Sequence, residues 1–137
     1  MVTIDLAVRL HDAGLKWTPT AGDRFSVPGR EMDEDVFVLS DMTIDVHESR
    51  TGTVIGFNGT TEWALDSLEQ QDAVWLPSET QLRERLQRTF VRLERDGATH
   101  RVVISVSGRE VAVEHEDPAQ AYGLALLYLI TGEDAAA

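Results

Sequence analysis

Histidines and clustered acids are the residues of this chain whose types could do chemistry. There are 4 histidines. His100 and His115 are the best organised. Val102, Ile104 and Val106 recur at every second position, Ser107-Gly108 offers a turn, and Val111 and Val113 alternate back. A two-residue turn at Ser107-Gly108 sets His100 directly opposite His115, with Glu114 and Glu116 beside them in sequence. Two imidazoles and a carboxylate make an inventory for zinc or manganese. A turn at Gly108-Arg109 keeps the apolar residues on one face but slides the histidines out of line. The other account is two histidines at the open end of a hairpin. His11 stands alone on a helix.

Glu31, Asp33, Glu34 and Asp35 form an acidic run, followed by Asp41, Asp45, His47 and Glu48. Carboxylates at this density could hold a hard cation, but the spacing lacks the calcium-loop pattern and its central glycine. Solvated loops explain them equally. Nucleophilic catalysis needs a serine aimed by a base and an acid. Ser26, Ser40, Ser49, Ser67, Ser78, Ser105 and Ser107 include none in a Gly-x-Ser-x-Gly elbow, and most fall at caps or turns. Gly56-Phe57-Asn58-Gly59-Thr60-Thr61 leads from a strand towards a helix, yet lacks a phosphate-binding lysine, and Glu62 would repel an anion. The expectation is therefore no catalytic residue, no cofactor and no specific metal site. A binding or adaptor role is favoured. The alternatives are a small metal-dependent enzyme using His100, His115 and the acidic loops, and a phage-like structural or regulatory protein.

Charge narrows the partners. With 24 acids against 12 lysines and arginines, the formal charge is -12 over 137 residues. Such a surface repels phosphate backbones and anionic lipid, so neither nucleic acid nor membrane is expected. The longest apolar run, Leu124 to Ile130, falls far short of the roughly 20 residues that span a bilayer. Cysteine is absent, which removes disulfides and thiolate chemistry. Asp5 stands where a signal peptide would be basic and then apolar, so a cytoplasmic location is expected.

The elements that would position these residues read as one α+β domain over 1–137, with 135–137 frayed. Thr3 to Ala13 reads as a helix with Ile4, Ala7, Val8 and His11 on one face. Asp23 to Val27 reads as a short strand. Val36 to Leu39, Met42 to His47 and Thr53 to Phe57 read as an antiparallel meander. A four-residue connection, Ser49 to Gly52, would put Val46 opposite Ile55 and Ile44 opposite Phe57. Thr60 or Thr61 can cap a short helix carrying Trp63, Ala64, Leu65 and Leu68.

Ser78 and Gln81 form a capping box for a helix over Glu79 to Arg95, with Leu82, Leu86, Phe90 and Leu93 on one stripe and Gly97 at its end. The hairpin from Arg101 to Glu114 follows. Asp117 caps a last helix, Pro118 takes its first position, and Gly132 stands past its end at Thr131. Both β elements should pack against the helices over Glu79 to Arg95 and Pro118 to Thr131. Trp17, Trp63 and Trp75 suit the core better than an open groove.

Several stretches carry a resemblance. They are Ala13-Gly14-Leu15-Lys16-Trp17-Thr18-Pro19, Gly22-Asp23-Arg24-Phe25, Asp35 to Thr43, Gly56 to Asp66, Trp75-Leu76-Pro77-Ser78 and Ala121 to Leu127. Together they resemble short uncharacterised actinobacterial proteins, some labelled as pilus-assembly proteins. The second half is also similar to small phage-encoded proteins that pair a Trp-Leu-Pro helix with a closing hairpin and helix. The resemblance implies a bacterial, cytoplasmic protein and brings no catalytic residue with it.

The last helix raises one more expectation. Ala121, Tyr122, Leu124, Ala125, Leu126, Leu127, Tyr128, Leu129 and Ile130 point in almost every direction. One face needs the chain's own sheet. The rest needs either another element, such as the first helix, or a second chain. A homodimer through helix 118–131, beside a protein partner, is the expectation.

Overall fold

The computed structural model describes residues 1–28, 36–39, 45–49, 52–56, 67–69 and 73–132. The chain folds into two compact units, Trp17–Leu76 and Met1–Lys16 with Pro77–Ala137. The α+β class expected from the sequence holds, with antiparallel sheets and helices among the described residues.

The Trp17–Leu76 unit carries strands β1 (Arg24–Ser26), β2 (Phe37–Val38), β3 (Asp45–Ser49), β4 (Gly52–Gly56), β5 (Ser67–Glu69) and β6 (Val74–Leu76). They form two antiparallel sheets, ordered β2-β1-β6 and β3-β4-β5. In the first, Phe37, Phe25 and Trp75 lie in one cross-strand row. Phe25 is fully buried, with its ring 5.4 Å from Phe37 and 5.5 Å from Trp17. The preceding loop is pinned by Asp23, whose Oδ2 accepts from Trp17 Nε1 at 2.9 Å and from the Thr20 amide at 3.0 Å. Trp17 and Trp75 are both buried, as expected; Trp63 lies outside the described residues.

In the β3-β4-β5 sheet, Val46 stands opposite Ile55 as the four-residue connection required. The expected pair Ile44 and Phe57 lies outside the described residues. Two expectations need correction. The segment 36–39 does not join this meander, because β2 pairs with β1; the third strand is β5. Leu68, placed on a helix from sequence, stands on β5 opposite Ile55 of β4. Its pairing partner supplies ladder hydrogen bonds that a short helix at this point would forgo. The proposed start of that helix, 60–66, is outside the described residues, as is the turn at 57–61.

The other unit is built around α3 (Pro118–Thr131). Asp117 caps it, Pro118 opens it, and Gly132 closes it at φ 72. It packs on α1 (Ile4–Asp12), on α2 (Glu79–Leu86), and on β8 (Thr99–Val106) and β9 (Arg109–His115). Thr3 caps α1, but Leu6, Ala7 and Leu10 form its buried face; Val8 is only half-buried, correcting the expected face. Where α1 meets α3, a Cβ on Gly123 would stand 2.7 Å from Leu6 Cδ2, so glycine permits the approach. The apolar girth of α3 is largely covered within the unit. Ala121, Tyr122, Ala125, Leu126 and Leu127 are buried, and Ile130 is exposed.

The expected helix over Glu79 to Arg95 is also corrected. Its capping box is present, but α2 ends at Leu86, a 3-10 turn covers Gln87–Thr89, and Phe90–Asp96 is strand β7. β7 pairs with β8, and β8 with β9, in an antiparallel sheet. Asp96-Gly97-Ala98-Thr99 forms a hairpin turn, with Gly97 at φ 63 at its first central position. One extra residue at Val91 shifts the register between Phe90 and Arg92. That bulge puts Phe90 on the face of α3, where its ring lies 5.8 Å from Tyr122. The α2-to-β7 corner is strained: Gln87 adopts φ 53 and ψ −129, a conformation comfortable only for glycine. Gln87→Gly should therefore stabilise this unit by about 0.5–1 kcal/mol, after the added unfolded-state entropy is offset. Urea unfolding followed by far-ultraviolet circular dichroism reads the change.

Candidate functional site

The hairpin β8–β9 turns at Ser107-Gly108, with φ 53 and 79. Both central residues lie in the left-handed region, as a two-residue turn of this kind requires. The register follows: His100 stands directly opposite His115. The histidines are thus brought together at the junction of β9 and α3.

Hydrogen bonds decide what this pair can do. His100 Nδ1 lies 2.8 Å from the Glu116 carbonyl oxygen, which can only accept, so Nδ1 carries the proton. The Asp117 amide donates to His115 Nδ1 at 2.9 Å, so in neutral His115 the proton sits on Nε2. The two rings take opposite tautomers. Neutral His100 keeps a lone pair on Nε2, whereas neutral His115 has spent both nitrogens. Two imidazoles cannot ligate one metal in this arrangement unless the Asp117 amide gives up its acceptor. Among the described residues, no three histidine, aspartate or glutamate side chains gather as a metal site.

The pair instead fastens the corner that launches α3. Asp117 accepts from the Ala119 amide at 2.9 Å, and the Met1 ammonium lies 3.2 Å from its other oxygen. The Thr3 amide donates to Gln120 Oε1 at 2.7 Å, tying α1 to the same corner. Partial burial pushes the Asp117 carboxyl up, but the Ala119 amide, the Met1 ammonium and the Gln120 amide together outweigh it and hold it below its usual range. Its stabilising effect is complete above the usual carboxylate range and is lost as pH falls through the depressed value. Asp117→Ala should cost about 1 kcal/mol at neutral pH and less at an acidic pH below the depressed value of the native carboxyl. Paired urea titrations of the two proteins at both pH values check this.

The sheet face away from α3 carries charge. Arg101 bonds Glu94 and Glu114, each at 2.8 Å, and Arg92 bonds Glu94 and, at 3.3 Å, Glu110. Hydrogen bonds from Arg92 and then Arg101 lower the Glu94 carboxyl from its usual range. These pairs are solvated and add little stability singly. Their consequence is order: the charges of three strands are arranged in alternating sign, over a buried Val103.

The acidity belongs mainly to the other unit. Trp17–Leu76 holds three arginines against twelve acids, and the rest of the chain nine cations against twelve. The acidic run Glu31, Asp33, Glu34 and Asp35, with Asp41, lies outside the described residues; Asp45, His47 and Glu48 fall on β3. His11 is half-buried on α1. Among the serines, Ser78 and Ser107 serve a cap and a turn, while Ser26 is fully buried on β1. No described helix is long and apolar enough to cross a membrane.

Sequence reasoning missed one exposed strand edge. β7 is an edge strand, and Val91 and Leu93 on it are each 39% exposed. Read as helix, this segment hid its edge. The signal that could have found it is Gly97-Ala98, a two-residue turn with glycine at its first central position. Comparison with known protein families, curated proteins and solved structures finds no match.

Proposed function

We propose that the chain is a cytoplasmic bacterial binding or adaptor domain that acts by docking a protein, without catalysing a reaction. The observation that carries this reading is the edge of β7, which among the described residues pairs with no strand but β8. An edge strand offers a row of backbone donors and acceptors, and natural proteins cover, shorten or charge such edges. Here the edge runs for 7 residues, carries the charges of Arg92, Glu94, Arg95 and Asp96, and leaves Val91 and Leu93 each partly exposed. Strand addition to an exposed edge is a common mode of peptide and protein recognition. The histidine corner supports the reading indirectly, since Nδ1 of each ring is bonded to the backbone at the start of α3.

A photocrosslinking amino acid at position 93, in bacteria that make the protein, tests this. The expected result is a discrete protein adduct at 93 that is absent when the same probe replaces the exposed Asp12. Equal or no crosslinking at the two positions contradicts it.

A further inference from the structure

We infer that the occupant of the β7 edge is a second copy of this chain, paired antiparallel about a two-fold axis at Leu93; this rests on the reading of β7 as a docking edge. The backbone sets the register. Asp96 and Thr99 flank a two-residue turn and so form its hydrogen-bonded pair. Alternation then directs the amides and carbonyls of Glu94 and Arg92 to β8, and those of Leu93 and Arg95 outwards. A strand approaching the edge meets Leu93 and Arg95 as its bonding residues. The bulge at Val91 ends regular pairing on one side and the turn at Gly97 ends it on the other.

Charge selects the partner. With the axis at Leu93, Arg92 stands opposite Glu94 of the second copy, and Glu94 opposite Arg92 of the second copy. Opposite charges directly across a ladder are favourable, and like charges are not. The sequence Arg92-Leu93-Glu94 is therefore self-complementary when read antiparallel. Leu93 meets its own counterpart at the axis, which covers the exposed side chain. A closed two-fold pairing uses one edge of each copy and leaves no free β7 edge to propagate.

Light scattering coupled to size exclusion, over a rising micromolar series, tests this together with a charge-swap pair. The unaltered protein should move from the mass of one chain to that of two. Arg92→Glu and Glu94→Arg should each stay at one chain at concentrations ten-fold higher, because each sets like charges across the axis. Mixing the two variants should restore a two-chain species, since the acid introduced in one then faces the base introduced in the other. Amide hydrogen exchange on the unaltered protein gives a reading free of substitution: Leu93 should slow as concentration rises. One chain throughout, with a crosslink at 93 to a different protein, overturns self-pairing and leaves the docking edge standing. One chain with no adduct at 93 overturns both. A dimer that survives both charge variants but is split by Ile130→Glu moves the contact to α3 and overturns the pairing at Leu93.

Discussion

Phe25→Ala should unfold the Trp17–Leu76 unit at temperatures where the unaltered protein is native. Phe25 is fully buried and takes ring contacts from Trp17 and Phe37 on a three-stranded sheet of short strands. Removing a buried phenylalanine ring costs about 3–5 kcal/mol. That is comparable with the whole stability of a small unit. The chain offers a clean probe, because Trp17, Trp63 and Trp75, its 3 tryptophans, all fall within this unit. Their fluorescence should redshift in the variant at ambient temperature, as Trp17 and Trp75 leave a dry environment. A midpoint shift in urea worth less than about 1 kcal/mol would show that the aromatic row is not the core of this unit.

Gly123→Leu should be the most damaging single change in the α3 unit. The Cβ alone would stand 2.7 Å from Leu6 Cδ2 and 3.4 Å from Val2 Cγ1, and Leu6 is buried. Overpacking of this kind costs about 1–3 kcal/mol, and a whole leucine at a helix crossing belongs at or above the upper end. Gly123→Ala separates the terms. It gains about 1 kcal/mol of helix propensity and loses the close approach, so its net cost should be small. In a Leu6→Ala background the clash is gone and Gly123→Ala should become stabilising. A double-mutant cycle read by far-ultraviolet circular dichroism measures the coupling, and additivity of the two changes would contradict the crossing at Gly123.

These effects show which parts of the fold were legible. Helix α3 was readable end to end, because Asp117, Pro118 and Gly132 each meet a local backbone requirement. The β8–β9 hairpin was readable as well, but sequence left its turn between Ser107-Gly108 and Gly108-Arg109, and the structure takes the first, which aligns His100 with His115. β7 was not readable. Leu82, Leu86, Phe90 and Leu93 follow helical spacing, and the bulge at Val91 lets Phe90 and Leu93 share one sheet face as well. The same spacing thus satisfies two structures, and pairing with β8 decides between them. The β2-β1-β6 sheet joins Phe25 to Trp75 across most of the unit, which no local pattern encodes. On α1 the buried stripe was displaced by one position, since Leu6 answers to Gly123 on another helix. At the histidine corner, the residue types were visible and the register was one of two, but the commitment of each ring to a backbone group at Glu116 and Asp117 was not legible.

That commitment separates a domain that docks from one that holds a metal for chemistry. Long-range nitrogen–proton correlation spectra of the ring nitrogens test it most directly, recorded near neutral pH with and without excess zinc. In the neutral rings the proton should sit on Nδ1 of His100 and on Nε2 of His115, and zinc should leave the His115 pattern unchanged and raise the melting temperature by no more than about a degree. Zinc-induced loss of the Nε2 proton of His115 together with a shift of His100 Nε2, abolished in the His100→Ala/His115→Ala variant, would contradict it.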